Sequence, residues 1–184
     1  MSRIIIPVPC HFATLDSVCS TTVARMRAAL LLKKPDDLFV LSGDVPYTQN
    51  STTLGVHMRN WFIENGVSTR SICVLRGGVG TFSEARATCE TAPYLNAREL
   101  IVISSVWYLF AGKPIWHRRA KENNVSISFV SVPHTGGLRT YLLYGFLGIT
   151  VHVANVAGLE SYLEKFFTAI QKKRTEGFTA NGCA

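Results

Sequence analysis

The chain has 184 residues, of which 47% are hydrophobic and only 17% charged. This is enough chain for one domain with its own core, and the balance excludes a disordered, collagen-like or coiled-coil protein. The net charge is +7, from 19 Lys and Arg against 12 Asp and Glu, but the basic residues are spread along the chain. No block of them is long enough for a nucleic-acid-binding arm, so we expect no nucleic-acid partner.

Five apolar runs follow one another along the chain, and turn residues and a helical pattern come after most of them. The predicted strands cover residues 4–8, 38–41, 71–75, 100–103 and 126–132. Because these runs are continuous rather than alternating, both faces of the sheet must be covered by helices. The sequence therefore predicts a single three-layer α/β/α domain around a mostly parallel, five-stranded, Rossmann-like sheet.

The last part of the chain, residues 136–184, is predicted to cover this domain. Twenty residues from 140 to 159 carry no charge, which is the length that spans a bilayer. His152, Asn155, three glycines and the amphipathic continuation argue against a membrane span. We expect a buried core segment or an interfacial docking element here, followed by a helix around Leu159–Arg174.

The five cysteines include no C-x-x-C pair, and a chain of this size needs no disulfide staples. The N-terminal residues carry no pattern typical of an export signal. Both observations predict a cytoplasmic protein.

Small, polar or titratable residues stand at the carboxyl end of every predicted strand. The ligand crevice of an open parallel sheet lies at this edge, where helix N-termini point their N–H groups into the gap. Turns favour Gly, Ser and Asp for backbone reasons alone, but five such ends together favour a cleft. In chain order the ends are Cys10-His11, Ser42-Gly43-Asp44, Gly77 to Thr81, Ser104-Ser105 and His134 to Gly137.

The loop R-G-G-V-G-T at residues 76–81 is the richest of these ends. Its glycines let a phosphate or carboxylate approach the backbone closely. The order of residues matches neither the dinucleotide fingerprint nor the P-loop, so the loop names no cofactor. Thr81 to Glu84 also has the T-x-x-E form of a capping box, which is a purely structural explanation of both residues. Arg76 is either a forked donor to an anion or a solvated side chain.

Candidates for a catalytic nucleophile are Ser42, Cys10, Ser104 and Ser105, although the chain has no G-x-S-x-G elbow. The five histidines show no metal-ligand spacing, and we predict no metal site.

The order of several features resembles the YdcF/SanA/ElyC family of bacterial proteins. They are Arg25 in the first helix, Ser42-Gly43 after the second strand, Glu64 to Val67 at a helix end, the Thr81 and Glu84 pair, and Ser104-Ser105 after the fourth strand. The resemblance covers about residues 1 to 135. It implies a Rossmann-like domain for a nucleotide or S-adenosylmethionine, with envelope roles in membrane-anchored members.

Two departures from this family concern the site. Such proteins place a Glu-Ala pair soon after the Ser-Gly strand, where this chain has Asn50 to Thr53. They also follow the fourth strand with a His and, three residues on, an Arg, where this chain has Tyr108 and Ala111. If that His and Arg hold an anionic ligand in the family, this chain lacks both.

We therefore expect the protein to bind or act on a small anionic ligand, either nucleotide, S-adenosylmethionine-like or phosphorylated, at the carboxyl edge of the sheet. The candidate catalytic residues are Ser42, Asp44 as hydroxyl acceptor or general base, and Glu84 as acid or support. The candidate ligand-binding residues are Arg25, Gly43, Arg76, Gly77, Gly78, Gly80, Thr81, Ser104, Ser105, Tyr108 and His134.

Two other functions stay open. One is a non-catalytic interaction module, in which residues 140–159 dock on a partner or an identical subunit and Trp107, Tyr108 and Phe110 fill the pocket. The other is a hydrolase of esters or phosphoesters that uses Ser42 or Ser104.

Overall fold

The computed structural model describes residues 2–10, 12–14, 17–43, 52–76, 80–133, 138–159, 161–163, 165–167 and 169. In chain order the elements are β1 (Ser2–Pro7), β2 (Phe12–Thr14), β3 (Ser17–Val18), α1 (Ser20–Leu32), β4 (Leu38–Leu41), α2 (Leu54–Glu64), β5 (Ile72–Val74), α3 (Thr81–Thr91), β6 (Ala97–Ser105), α4 (Val106–Glu122), β7 (Ser126–Val132) and α5 (Leu138–Val156). Short 3-10 turns at Thr69–Ser71 and Ala92–Leu95 precede β5 and β6.

Five strands form one sheet in the order β5-β4-β1-β6-β7, and every pairing in it is parallel. The chain first builds outward from β1 through β4 to β5, and then crosses to the other side of β1 to add β6 and β7. The direction of building thus reverses between β1 and β6. In folds of this kind the ligand crevice lies beyond the carboxyl ends of the strands at that reversal.

Helices cover both faces of the sheet, which explains the continuous apolar runs. In β1, Ile5 packs with α1 and α2 on one face, while Ile4 and Ile6 pack with α3 and α4 on the other. All three are fully buried, because successive strand residues point to opposite faces. Burial of each such side chain contributes about 1.5–3 kcal/mol. The predicted three-layer α/β/α fold with a parallel five-stranded sheet is confirmed.

A short antiparallel pair, β2 with β3, lies between β1 and α1. The sequence did not predict it, because strands of two and three residues are too short to show a period.

The uncharged stretch forms α5, which packs along α4. Val151 and Ala154 are buried, and Gly148 permits the close approach, because a Cβ at that position would overlap the ring of Phe110. The opposite face of the helix is exposed, so the prediction of a buried core segment is wrong for that face. Within the described ranges, no helix combines the length and apolar character that crossing a bilayer requires.

The predicted covering helix around Leu159–Arg174 is helical where it is described, at 161–163, 165–167 and 169. Leu163 packs against the core, and the ring of Phe167 stacks on that of Phe82 with centroids 5.9 Å apart. This part of the chain therefore covers the α3 side of the sheet.

Candidate functional site

Arg25 of α1 lies fully buried beneath the carboxyl ends of β1 and β6. Its Nη1 donates to the carbonyl oxygens of Val8, at 2.7 Å, and Pro9, at 3.3 Å, and its Nη2 donates to Ser105 Oγ at 3.0 Å. The Nε atom is buried, and no described residue accepts a hydrogen bond from it. A buried guanidinium is costly unless it is hydrogen-bonded, so these oxygens hold the positive charge at the switch point of the sheet.

Glu84 of α3 is the buried acid of the same region. Burial raises its pKa to about 7, although the positive charge of Arg25 and the hydroxyls of Ser42 and Tyr108 each act to lower it. No hydrogen bond or ion pair joins Glu84 to Arg25, so the attraction acts through space. Near neutral pH this carboxyl is present in both protonation states, which is the property that a general acid or base needs.

Two buried serine hydroxyls lie at the carboxyl ends of β4 and β6, the two strands on either side of β1. Ser42 Oγ and Ser104 Oγ are both buried, and neither has a hydrogen-bond partner in the described part of the chain. The Ser42 hydroxyl lies close enough to Glu84 to lower the pKa of that carboxyl, although the two groups form no hydrogen bond. A buried hydroxyl without a partner costs about 1–3 kcal/mol. This region therefore contains two hydrogen-bonding groups that the described residues do not satisfy.

The last two residues of β6 serve opposite sides of the sheet. Ser104 continues the face of Leu100 and Val102, toward α3 and α4, whereas Ser105 continues the face of Ile103, toward α1. Ser105 accordingly binds Arg25. The Ser-Ser pair therefore brings one hydroxyl to the Arg25 side and another to the Glu84 side.

The predicted capping box at Thr81 to Glu84 is wrong. The residue that caps α3 is Gly80, whose N–H donates to Ser83 Oγ at 3.1 Å, while the same hydroxyl donates back to the Gly80 carbonyl at 2.9 Å. Ser83 is the third helical residue, so its short side chain reaches the cap, whereas Glu84 is one position further and turns toward the sheet. The Glu84 carboxyl therefore takes no part in the cap and lies among the buried polar groups at this edge of the sheet.

Tyr108, near the start of α4, is the buried aromatic residue of the site. Its ring lies 5.7 Å from the guanidinium carbon of Arg25, which is within cation–π range. Burial and then the charge of Glu84 raise the pKa of Tyr108 well above its usual value, against the opposing effects of Thr81 and Trp116. The phenol therefore stays protonated at neutral pH.

Only one of the three aromatic residues after β6 fills the site. Tyr108 is buried, but Trp107 and Phe110 are partly exposed at the surface. The prediction that all three fill the pocket is wrong for these two, because helical spacing turns them away from the sheet.

A threonine that the sequence interpretation missed holds the loop after β1. The Cys10 N–H donates to Thr22 Oγ1 at 3.0 Å, and the Cys19 thiol is 3.3 Å from the same hydroxyl. The available signal was spacing, because Thr22 stands three residues before Arg25 and so shares its helix face. The hydrogen bond with Cys19, and then burial, raise the pKa of Cys10 far above its usual value. Cys10 is therefore a poor nucleophile in this state.

The other predicted site residues either contribute no side chain to the buried groups or lie outside the described part of the chain. Gly43 has φ +101°, and a Cβ there would lie 3.2 Å from the Pro9 side chain, so the turn after β4 requires glycine. Arg76 is exposed. Asp44, Gly77, Gly78 and His134 lie outside the described residues. Among the residues that are described, no three His, Cys, Asp or Glu side chains converge in a way that could hold a metal ion.

The structure thus brings together residues from four elements and from the turn after β4: Arg25, Glu84, Ser105, Tyr108 and Ser42. With the sheet order, this cluster defines a three-layer, Rossmann-like α/β protein with buried acidic and basic groups at the carboxyl edge of its sheet. In comparisons with known proteins, the chain matches no family model, no curated protein and no solved structure. The resemblance to the YdcF/SanA/ElyC family stays a prediction.

Proposed function

We propose that this protein binds a small anionic compound, of the nucleotide, S-adenosylmethionine-like or phosphorylated class, at the carboxyl edge of its sheet. The observation that carries the proposal is Glu84, a buried carboxyl with a pKa of about 7 beside a buried guanidinium and the unpartnered Ser42 hydroxyl. Structural ion pairs also bury charges. Here, however, the two terminal nitrogens of Arg25 bind neutral oxygens, and none of the described residues gives the Glu84 carboxyl a direct cationic partner.

The charge of the cluster depends on one proton. When Glu84 is protonated, nothing in the cluster compensates the positive charge of Arg25. The cluster then carries one net positive charge and an acidic O–H donor, and it favours an anion. When Glu84 is ionised, the two charges cancel. The affinity for an anion should therefore fall as the pH rises through about 7.

Donors for the anion come from elements that meet at this edge. The first turn of α3 supplies backbone N–H groups directly after the glycine loop, and the hydroxyls of Ser42 and Ser104 add side-chain donors. Glu84 is suited to transfer a proton to or from the bound compound. Asp44 keeps its predicted role as hydroxyl acceptor or general base.

The test is a thermal-shift screen with inorganic phosphate, nucleotides, S-adenosylmethionine and sugar phosphates, at pH 6 and pH 8. We expect at least one compound to raise the melting temperature more at pH 6 than at pH 8. In Glu84→Gln, which resembles the protonated acid, the shift should persist but lose its dependence on pH. Ser42→Ala and Ser104→Ala should reduce it.

Glu90→Gln is the matched control, because Glu90 is an exposed residue of the same helix. It should behave as the unsubstituted protein does. If no compound raises the melting temperature, or if the shift is the same at both pH values and in every variant, the proposal is wrong.

A further inference from the structure

A stripe of apolar side chains runs along the outer face of α5. Its five members, each between 59% and 90% exposed, are Leu142, Phe146, Ile149, Val153 and Val156. Their spacing alternates between four and three positions, which places them along one side of a helix. The opposite side carries the buried Val151 and Ala154, so this α5 stripe points away from the core.

The α5 stripe provides most of the area that one partner brings to a stable interface. With ordinary side-chain areas, the exposed fractions amount to on the order of 600 Å² of contiguous apolar surface, at the upper end for a monomer's largest patch. One partner of a standard interface buries about 800 Å². Phe110, partly exposed and in contact range of Gly148, widens the patch at its edge.

We infer that the α5 stripe pairs with the same stripe of a second copy of this chain, with the two helices antiparallel about a two-fold axis beside Ile149. Leu142 stands seven positions before Ile149 and Val156 seven after it, so these two face each other across the pair. Phe146 stands three before and Val153 four after, which sets a large side chain opposite a small one. An isologous interface requires this self-complementarity.

The charges of α5 agree with the antiparallel arrangement. No charged residue occurs from 140 to 159, so no like charges meet along the paired helices. Antiparallel pairing brings the N-terminal end of each helix, which carries partial positive charge, beside the C-terminal end of its partner, which carries partial negative charge.

Other occupants fit the α5 stripe less well. Residues 170–184 contain only two large apolar residues, Ile170 and Phe178, for a stripe of five. A bilayer surface with anionic lipids would need free basic groups beside α5. Three basic groups of α4 line a hollow with His152 of α5. Arg118 is paired with Glu122 at 2.8 Å, and the Lys113 ammonium lies 5.4 Å from the ring centroid of Phe129. Lys121 is the third, and one lysine is too little charge for such a surface.

The first test is the mass in solution, by sedimentation equilibrium over a hundredfold range of protein concentration. The unsubstituted protein should reach twice the 20.3 kDa of one chain. Ile149→Asp should sediment as a monomer with an unchanged circular dichroism spectrum. Leu31→Asp is the matched control, because Leu31 is an exposed leucine of α1, on the other face of the sheet, and this variant should remain dimeric.

The second test is covalent. Since the two Ile149 positions meet at the axis, Ile149→Cys should give a disulfide-linked dimer on mild oxidation, well above the level in Leu31→Cys or the unsubstituted protein. A monomer at all concentrations, or a dimer that survives Ile149→Asp, would overturn the inference. So would a monomer that co-sediments with phosphatidylglycerol vesicles only when Ile149 is intact. Glu84→Gln should dimerise normally, because the inference does not depend on the proposed ligand site.

Discussion

Arg25 donates a hydrogen bond to Ser105 at 3.0 Å, although 80 residues separate the two along the chain. Through this bond, and through those to the carbonyl oxygens after β1, one guanidinium connects α1 to the ends of both strands where the sheet reverses. The site is therefore part of the core of the fold rather than an addition to its surface.

Replacement of Arg25 should destabilise the protein strongly. Arg25→Ala leaves the oxygens of Val8 and Ser105 buried without their donor, and we expect a loss of about 3 kcal/mol or more in the free energy of unfolding. The measurement is urea-induced unfolding followed by circular dichroism. Arg27→Ala, at an exposed position of the same helix, should change it by less than about 0.5 kcal/mol. Equal effects of the two substitutions would contradict this account.

The raised pKa of Glu84 should make stability fall as the pH rises. Between about pH 4.5 and 7 the folded protein retains a proton on Glu84 that the unfolded chain has released, so each step up in pH favours unfolding. The difference between the two pKa values corresponds to about 3 kcal/mol by pH 8. Glu84→Gln should remove this slope and be the more stable protein above pH 7.

Urea unfolding at pH 5, 6, 7 and 8 measures this dependence. Glu90→Gln, at an exposed position of α3, should keep the slope of the unsubstituted protein. A slope that persists unchanged in Glu84→Gln would assign the titration to another group.

The ion pair between Arg3 and Asp37 should produce the opposite dependence at acid pH. Arg3 binds both carboxylate oxygens of the buried Asp37, at 3.0 and 2.6 Å, and the Lys34 N–H adds a third bond at 2.7 Å. Burial alone would raise the pKa of Asp37, but these hydrogen bonds outweigh it and lower the pKa. The stabilisation is therefore present above about pH 4 and is lost as the pH falls through the lowered pKa.

Asp37→Asn tests this pair, and we expect it to cost about 2–4 kcal/mol at pH 7 and progressively less below pH 4. Asp36→Asn is the control, since Asp36 is the exposed neighbour in the same turn. Unfolding at pH 7 and pH 3 gives the comparison. A cost that is the same at both pH values would show that the carboxylate charge is not what stabilises the turn.

The central sheet was predictable because its signal is local. Ile4, Ile5 and Ile6 form a run that only a strand covered on both faces can bury, and the turn residues after each run mark where it ends. The same rule about strand ends identified Ser42 and Arg25's partner Ser105, whereas Glu84 was singled out by the T-x-x-E pattern with Thr81. The order of the strands was not predictable, because it depends on contacts between residues far apart in the chain.

Where a sequence pattern allowed more than one neighbouring residue to take a role, the geometry of the helix decided which residue takes it. Thr81 and Glu84 match a capping box, yet the N-cap of α3 is Gly80, because Ser83 is the residue whose side chain reaches it. Likewise Tyr108 enters the site while Trp107 beside it does not, because one helical step is a rotation of about 100°.

The sequence by itself determined a five-stranded α/β domain and the edge of the sheet where polar groups gather, since apolar runs and turn residues act over a few positions. Only the tertiary structure decided that Glu84 is buried, and therefore that its pKa rises to about 7 although the positive charge of Arg25 acts to lower it. Only the tertiary structure, too, decided which face of α5 is covered. Burial and charge environment are set by residues that are distant in sequence, and these determine the chemistry of the site.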